Sequence, residues 1–227
     1  MRILVTNDDG WDAPGLAALK TLARQLGEVF VLAPRDPHSY AGHRVTTDCP
    51  LVLGETGAQE FTLTGTPADC VRLALTTLFP EIDWVLSGIN RGGNLGADLF
   101  TSGTVAAVRE AALLGRPGIA VSQYVRRGMA LDWERSAELA LPVIAQLIAE
   151  GCPPKGYWNV NLPHVDVHEK PTVVRCDPDH EPLDIRFRQD GDRFHYAGDY
   201  ASRRRTQGRD TEQCFGGSIT VSCLRLG

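Results

Sequence analysis

Two adjacent carboxylates, Asp8 and Asp9, stand directly after an apolar run and directly before Gly10. Neighbouring carboxylates repel one another unless a cation neutralises them, and hard oxygen ligands of this kind suit Mg2+ or Mn2+. The competing role is structural, with one Asp capping the next helix and the other solvated. A second polar loop, residues 34–43, carries Ser39 among His38, Tyr40, Gly42 and His43. A serine hydroxyl is a weak neutral ligand, and on its own Ser39 is an ordinary loop residue. His38 and His43 lack the spacing of a helical metal-binding pair, so an oxygen site is favoured over an imidazole site, while either ring could shuttle protons.

A third loop runs Ser87-Gly88-Ile89-Asn90-Arg91-Gly92-Gly93-Asn94-Leu95-Gly96 and continues to Ser102-Gly103-Thr104 at a helix start. Its glycines allow close backbone approach, and free N–H groups at the helix terminus make an anion site for which phosphate is the natural guest. The spacing is neither a P-loop, since the lysine is missing, nor a dinucleotide fingerprint on the first βα turn. A glycine loop with a purely structural purpose is the alternative for this segment alone. Two carboxylates, neutral oxygens and a phosphate cradle at one edge are hard to explain structurally. Together they point to cation-assisted hydrolytic phosphoryl transfer.

The elements that position these loops alternate strand and helix. Residues 1–6 read as a buried strand, and Pro14 opens a helix whose Leu16, Leu19, Leu22 and Leu26 share a face. Strands follow at 28–33, 44–53 and 60–64, then a helix in which Thr66 caps and Pro67 takes the first turn. A core strand at 83–87 leads into the glycine loop and a helix over 103–114; a strand at 118–122 and a helix over 133–148 come next. The expected fold is α/β, a Rossmann-like three-layer core with a mostly parallel sheet, plus a β-rich carboxy-terminal extension with a hairpin. Residues 1–156 form the core with the metal and phosphate site. Residues 157–227 add a core strand, 158–162, then a hairpin turning at Asp190-Gly191-Asp192 that serves oligomerisation, and a strand at 217–224.

With 227 residues, 43% of them hydrophobic, the chain can bury a substantial core. A formal net charge of −5 gives no general attraction to nucleic acid or to membrane surfaces. Arg203-Arg204-Arg205 is a local exception and reads first as a solvated loop face, the alternative being a contact to substrate phosphate or to a partner. No apolar run approaches a membrane span and no signal-peptide pattern opens the chain, so a soluble cytoplasmic protein is expected. Six cysteines without a C-x-x-C pair signal neither zinc nor a disulfide framework.

Several motifs in order resemble the SurE family of stationary-phase survival nucleotidases. They are Arg2-Ile3-Leu4-Val5-Thr6-Asn7-Asp8-Asp9-Gly10, Ala33-Pro34, Ser39, Gly65-Thr66-Pro67-Ala68-Asp69-Cys70, Ser87-Gly88-Ile89-Asn90, Asn94-Leu95-Gly96, Ser102-Gly103-Thr104-Val105 and Asn159-Val160-Asn161-Leu162-Pro163. The resemblance implies one Mg2+ or Mn2+ per subunit and hydrolysis of nucleoside 5'- and 3'-monophosphates to nucleoside and phosphate. The alternatives are polyphosphate or other phosphomonoesters as the main substrate, or a nucleotide-binding regulatory module with little turnover. The family's metal ligands fall on Asp8, Asp9, Ser39 and Asn90. Asn94, Ser102, Gly103 and Thr104 would then hold the phosphate, partly on the helix-terminus argument above. Asp8 and Asp9 are the catalytic pair, with Asp9 or an ionised water on the cation as the group that activates attack.

Three departures from the family pattern bear on this. Gly93 stands where a proline is usual, which loosens the loop of Asn90 and Asn94. Phe100-Thr101 replaces a Tyr/His-type neighbour ahead of Ser102. The chain ends at Gly227, where family members generally continue into a terminal helix, so a homodimer is expected ahead of a tetramer.

Overall fold

The computed structural model describes residues 1–226; the last residue of the region expected to run to 227 lies outside it. Alternating βα segments in the first 162 residues pack as parallel strands because each helix returns the chain to the same sheet end. The elements are β1 (Arg2–Thr6), α1 (Pro14–Ala23), β2 (Glu28–Pro34), β3 (Leu53–Gly57), β4 (Glu60–Leu63), α2 (Pro67–Leu73), β5 (Trp84–Arg91), α3 (Gly103–Leu113), β6 (Gly118–Gln123), α4 (Trp133–Glu150) and β7 (Gly156–Leu162). Then come β8 (Val173–Arg175), β9 (Phe187–Asp190), β10 (Arg193–Tyr196), α5 (Asp210–Phe215) and β11 (Ile219–Arg225).

Nine of these strands form one sheet in the order β3-β4-β2-β1-β5-β6-β7-β11-β8. The run from β4 to β7 is parallel, while β3 and β11 enter antiparallel to β4 and β7. From β1 the chain winds outward through β2 to β4, and from β5 it winds the opposite way through β6 to β7. The crevice beyond the carboxyl ends of β1 and β5 is therefore the topological switch point, where ligands bind in open α/β sheets.

Both faces are covered. Ile3 and Val5 of β1 pack with Leu16, Leu19 and Leu22 of α1 and with Val143, Ile144 and Leu147 of α4. Leu4, on the other face, joins Cys70 and Val71 of α2 and Val105, Val108 and Ala111 of α3. This is the three-layer α/β architecture read from the strand and helix periods. The hairpin β9–β10 forms a separate two-stranded sheet turning at Gly191-Asp192.

Local differences have identifiable causes. The stretch 44–52 is not a strand, because its backbone is bonded by side chains: Thr66 Oγ1 donates to Arg44 O at 2.6 Å, and Thr46 N–H donates to Asp69 Oδ1 at 2.8 Å. The strand starts only at Leu53. Neither α5 nor β8 stood out in the sequence; at six and three residues they are too short for a period to show. Among the described residues no helix is long and apolar enough to cross a membrane.

Candidate active site

At the end of β1 the chain turns through Asn7-Asp8-Asp9-Gly10. Asn7 Nδ2 donates to Gly10 O at 2.7 Å and closes the turn, and Gly10 takes φ +101°, which the absence of a Cβ permits. This turn aims Asp8 at the start of α3. Ser102 caps that helix, its Oγ accepting from Val105 N at 3.0 Å, and Thr104 Oγ1 donates to Asp8 Oδ1 at 2.6 Å. A Cβ on Gly103 would lie 2.8 Å from the Asp8 Cβ, so glycine is what lets the helix end approach the carboxylate.

Asp8 is 6% exposed. Burial pushes its carboxyl up to about 6, the Thr104 bond pulls against this, and the neighbouring Asp9 charge adds to the rise. Asp9 is raised as well, first by burial, with the Arg91 N–H and guanidinium opposing. The described bonds to the pair are neutral: the Thr104 hydroxyl to Asp8, and the Arg91 backbone N–H to Asp9 Oδ2 at 3.1 Å. Asn7 Oδ1, beside them, is buried with no donor. Two adjacent carboxylates with only neutral donors, next in sequence to a buried amide oxygen that accepts no bond, leave oxygens in want of positive charge. That donor set fits a hard divalent cation.

The other expected residues converge on this edge to different degrees. Ser39 sits in an exposed turn closed by Ala41 N–H donating to His38 O at 3.1 Å, and His38 N–H donates to Asp8 O at 2.8 Å. The turn is thus tied to the aspartate loop one residue from Ser39. Asn90 lies at the end of β5, beyond a register shift against β6, and precedes the Arg91 that bonds Asp9. Its Nδ2 donates to Gly92 O at 2.8 Å, while its Oδ1 accepts none of the described bonds.

Asn94 is committed to the scaffold: its N–H donates to Asn161 Oδ1 and its Nδ2 to Ser122 Oγ, at 2.8 and 2.7 Å. Its carbonyl accepts from Asn159 Nδ2 and Asn161 Nδ2. Thr104 is fully buried with its hydroxyl turned to Asp8, whereas the Gly103 N–H donates in none of the described bonds. Of the four residues assigned to phosphate, Gly103 and Ser102 have the clearest donors, and Thr104 and Asn94 do visible work in holding the loops.

Sequence reasoning missed a set of supporting side chains. Arg203 is not a solvated arginine: its side chain is 6% exposed, it pairs with Asp98 at 2.7 Å and it donates to Leu95 O at 2.9 Å. The Tyr200 hydroxyl shares its one proton between Asp98 Oδ2 at 2.9 Å and the carbonyl of Gly93 at 3.1 Å, so the loop that a glycine loosens is held from the carboxy-terminal region. Buried Asp210 accepts from Gly96 N and Asp179 N, both at 2.8 Å. One signal was available: Asn159 and Asn161 alternate with apolar residues along a strand, and their buried amides donate to the Asn94 carbonyl.

The family model described as "Survival protein SurE" matches residues 3–179. A Nostoc sp. protein, provisionally named a 5'-nucleotidase, is 46% identical over 228 aligned positions that span 100% of both chains. The protein named 5'-nucleotidase SurE from Geobacter sulfurreducens is 44% identical over 170 residues, covering 74% of this chain and 64% of its own. The crystal structure of the SurE protein from Aquifex aeolicus superposes with a TM-score of 0.86 at 32% identity, over 100% of this chain and 94% of that one. The match extends through the paired aspartates at the switch point and the capped helix that meets them, and it establishes that this chain belongs to the SurE family.

Proposed function

We propose that the protein hydrolyses nucleoside monophosphates, 5'-monophosphates foremost, releasing nucleoside and inorganic phosphate. The observation that carries this is the docking of the α3 amino terminus on Asp8 at the switch point, since the free N–H groups of a helix start beside a carboxylate pair suit a phosphate held with a cation. Relatives named as 5'-nucleotidases supply the substrate class.

Asp8, Asp9, Ser39 and Asn90 would hold one Mg2+ or Mn2+. Among the described residues no three His, Cys, Asp or Glu side chains gather at metal-binding separation, which accords with a set completed by neutral oxygens. When bound, such a cation supplies Lewis-acid stabilisation of the phosphoryl oxygens and of the attacking water. The chain's residues do the rest. Gly103 N–H and the Ser102 hydroxyl orient the phosphate at the positive end of α3. Thr104 keeps Asp8 in one rotamer, and Arg91 N–H fixes Asp9 by Oδ2. Asp9 Oδ1 accepts none of the described bonds and is available as ligand or as acceptor of the water proton.

The test is phosphate release from AMP and GMP with and without Mn2+, beside Asp8→Asn. Cation-dependent release lost in the variant is expected; release without added cation, or full activity in Asp8→Asn, defeats the reading. We further propose that the subunits pair through the β9–β10 hairpin, whose Phe187, Phe194 and Tyr196 are 59–65% exposed, more apolar surface than a small free hairpin carries without a partner. Light scattering of wild type against a Phe187→Ser/Phe194→Ser double variant would show a dimer dissociating. We also propose a cytoplasmic location, on the sequence reading; among the described residues no helix is long and apolar enough to cross a membrane.

A further inference from the structure

Of the buried carboxylates outside the chemistry just described, Glu110 and Asp69 both bond one loop, residues 43–46, besides their partners Arg72 and Thr66. Glu110 is 2% exposed; His43 Nε2 donates to its Oε2 and Arg72 Nε to its Oε1, each at 2.6 Å. Asp69, 1% exposed, accepts from Thr46 N–H and from the Thr46 hydroxyl, both at 2.8 Å. His43 and Thr46 follow the turn that carries Ser39. On its other side the turn is tied to the Asp8 carbonyl through His38, and at its base Gly42 N–H donates to Thr101 O at 3.0 Å. Between these anchors the tip is bare, with Tyr40 88% exposed and at φ +59°.

Helix geometry explains why Glu110 can reach this loop. Gly103 and Glu110 are seven residues apart, two turns of α3, so they lie on one stripe about 10 Å apart along the axis. The upper end of the stripe abuts Asp8 and the lower end holds His43. One rigid rod therefore touches the two segments that carry Asp8 and Ser39. Burial alone would push the Glu110 carboxyl up, but the bonds from His43 and Arg72 bring it below the usual glutamate range, so it is an anion that holds His43 firmly.

We propose that Glu110, acting through His43, is a positioning residue that sets the Ser39 turn at a fixed distance from Asp8 and thereby sets cation affinity. The inference rests on the cation site proposed above. Groups that orient a ligand from behind are worth roughly 10–100-fold in metal affinity.

The experiment is calorimetric titration of Mn2+ alone into wild type, His43→Ala, Glu110→Gln, the double variant, His43→Gln and Arg72→Met, with amide hydrogen exchange on the cation-free proteins. His43→Ala and Glu110→Gln are expected to weaken Mn2+ about tenfold. The double variant should be no weaker than either single one, because the two residues act as one unit. His43→Gln, whose amide can still donate to Glu110, should recover most of the affinity, and Arg72→Met, which perturbs Glu110 without touching the loop, should keep it. Exchange at residues 38–42 should quicken in His43→Ala while the amides of α3 stay protected. Folded His43→Ala that binds Mn2+ as wild type does, or additive losses in the double variant, overturns the proposal. Failure of wild type to bind Mn2+ defeats the cation reading instead, and unchanged exchange at 38–42 in His43→Ala then still overturns the positioning role.

Discussion

The Thr104 hydroxyl donates to Asp8 Oδ1 at 2.6 Å across 96 residues of sequence, joining the first turn of one helix to the first loop of the chain. This bond decides where a buried carboxylate points, and it pulls the Asp8 carboxyl down against a burial that pushes it up. Thr104→Val keeps the shape and deletes the donor, leaving a buried charged oxygen short of a partner at a cost of about 1–3 kcal/mol. We expect a loss of stability of that order and about a tenfold fall in kcat/KM, equivalent to about 1.4 kcal/mol in the transition state. Thr104→Ser should restore both. Denaturant unfolding and phosphate-release kinetics on the three proteins check this.

Asp8 itself makes stability depend on pH in the cation-free protein. Its folded pKa of about 6 lies above the ordinary 3.8, so the folded form holds the proton more tightly than the unfolded chain. The resulting stability is fully present below pH 3.8 and is lost as pH rises through about 6. Asp8→Asn removes the buried charge, so the cation-free variant should be more stable than wild type by about 2–3 kcal/mol at pH 8, with the gain fading to nothing near pH 4. Added Mn2+ should raise the wild-type Tm and leave that of Asp8→Asn in place. Thermal melts at pH 4, 6 and 8, with and without Mn2+, test both statements.

Much of this could be read from the residues. Apolar runs ending in polar glycine loops gave β1, β5 and β6, and Thr66-Pro67 and Ser102-Gly103 marked the starts of α2 and α3, as the caps observed there bear out. Side-chain types pointed to the carboxylate pair and to the helix start proposed to take phosphate. What the residues hid are relationships settled by tertiary packing. Thr104 is an ordinary first-turn residue until α3 docks on Asp8. Residues 44–52 alternate well enough for a strand, but the partners of that backbone, Thr66 and Asp69, become neighbours only when the fold forms. Arg203 looks solvated in a triplet of arginines because its partner Asp98 is 105 residues away.

That hidden pair is the basis of a third prediction. Arg203 and Asp98 are both largely buried, at 6% and 17% side-chain exposure, and Arg203 also donates to Leu95 O in the loop leading to Ser102. Truncating one member of such a pair leaves an uncompensated charge and costs about 3–5 kcal/mol. Arg203→Ala should lose stability of that size, and the loop over 93–98 should lose its fixed geometry, raising KM more than it lowers kcat. Replacing both members, Arg203→Met with Asp98→Asn, removes the stranded charge and keeps an acceptor oxygen for Tyr200 and Leu95 N–H. It should recover stability but not KM, because the Arg203 bond to Leu95 O is still missing. Chemical denaturation and steady-state kinetics separate the two effects.

The carboxy-terminal segment that delivers Arg203 is itself pinned by Asp179, which is 3% exposed and accepts from Thr206 N–H, the Thr206 hydroxyl and Glu181 N–H at 2.8, 2.9 and 3.1 Å. Burial pushes this carboxyl up, but the hydrogen bonds outweigh it and hold the group below its ordinary value of 3.8. A lowered folded pKa has the opposite sign from that of Asp8. Its stability is present above pH 3.8 and disappears as pH falls through the folded value. Asp179→Asn keeps an acceptor oxygen but loses the charge, so it should be less stable than wild type by about 1–2 kcal/mol at pH 7. The difference should narrow below about pH 4, where the wild-type carboxylate takes up its proton. Melts across pH 3 to 7 would show the two curves converging; a gap that persists or widens at low pH would mean that the hydrogen bonds to Asp179 do not depend on its charge.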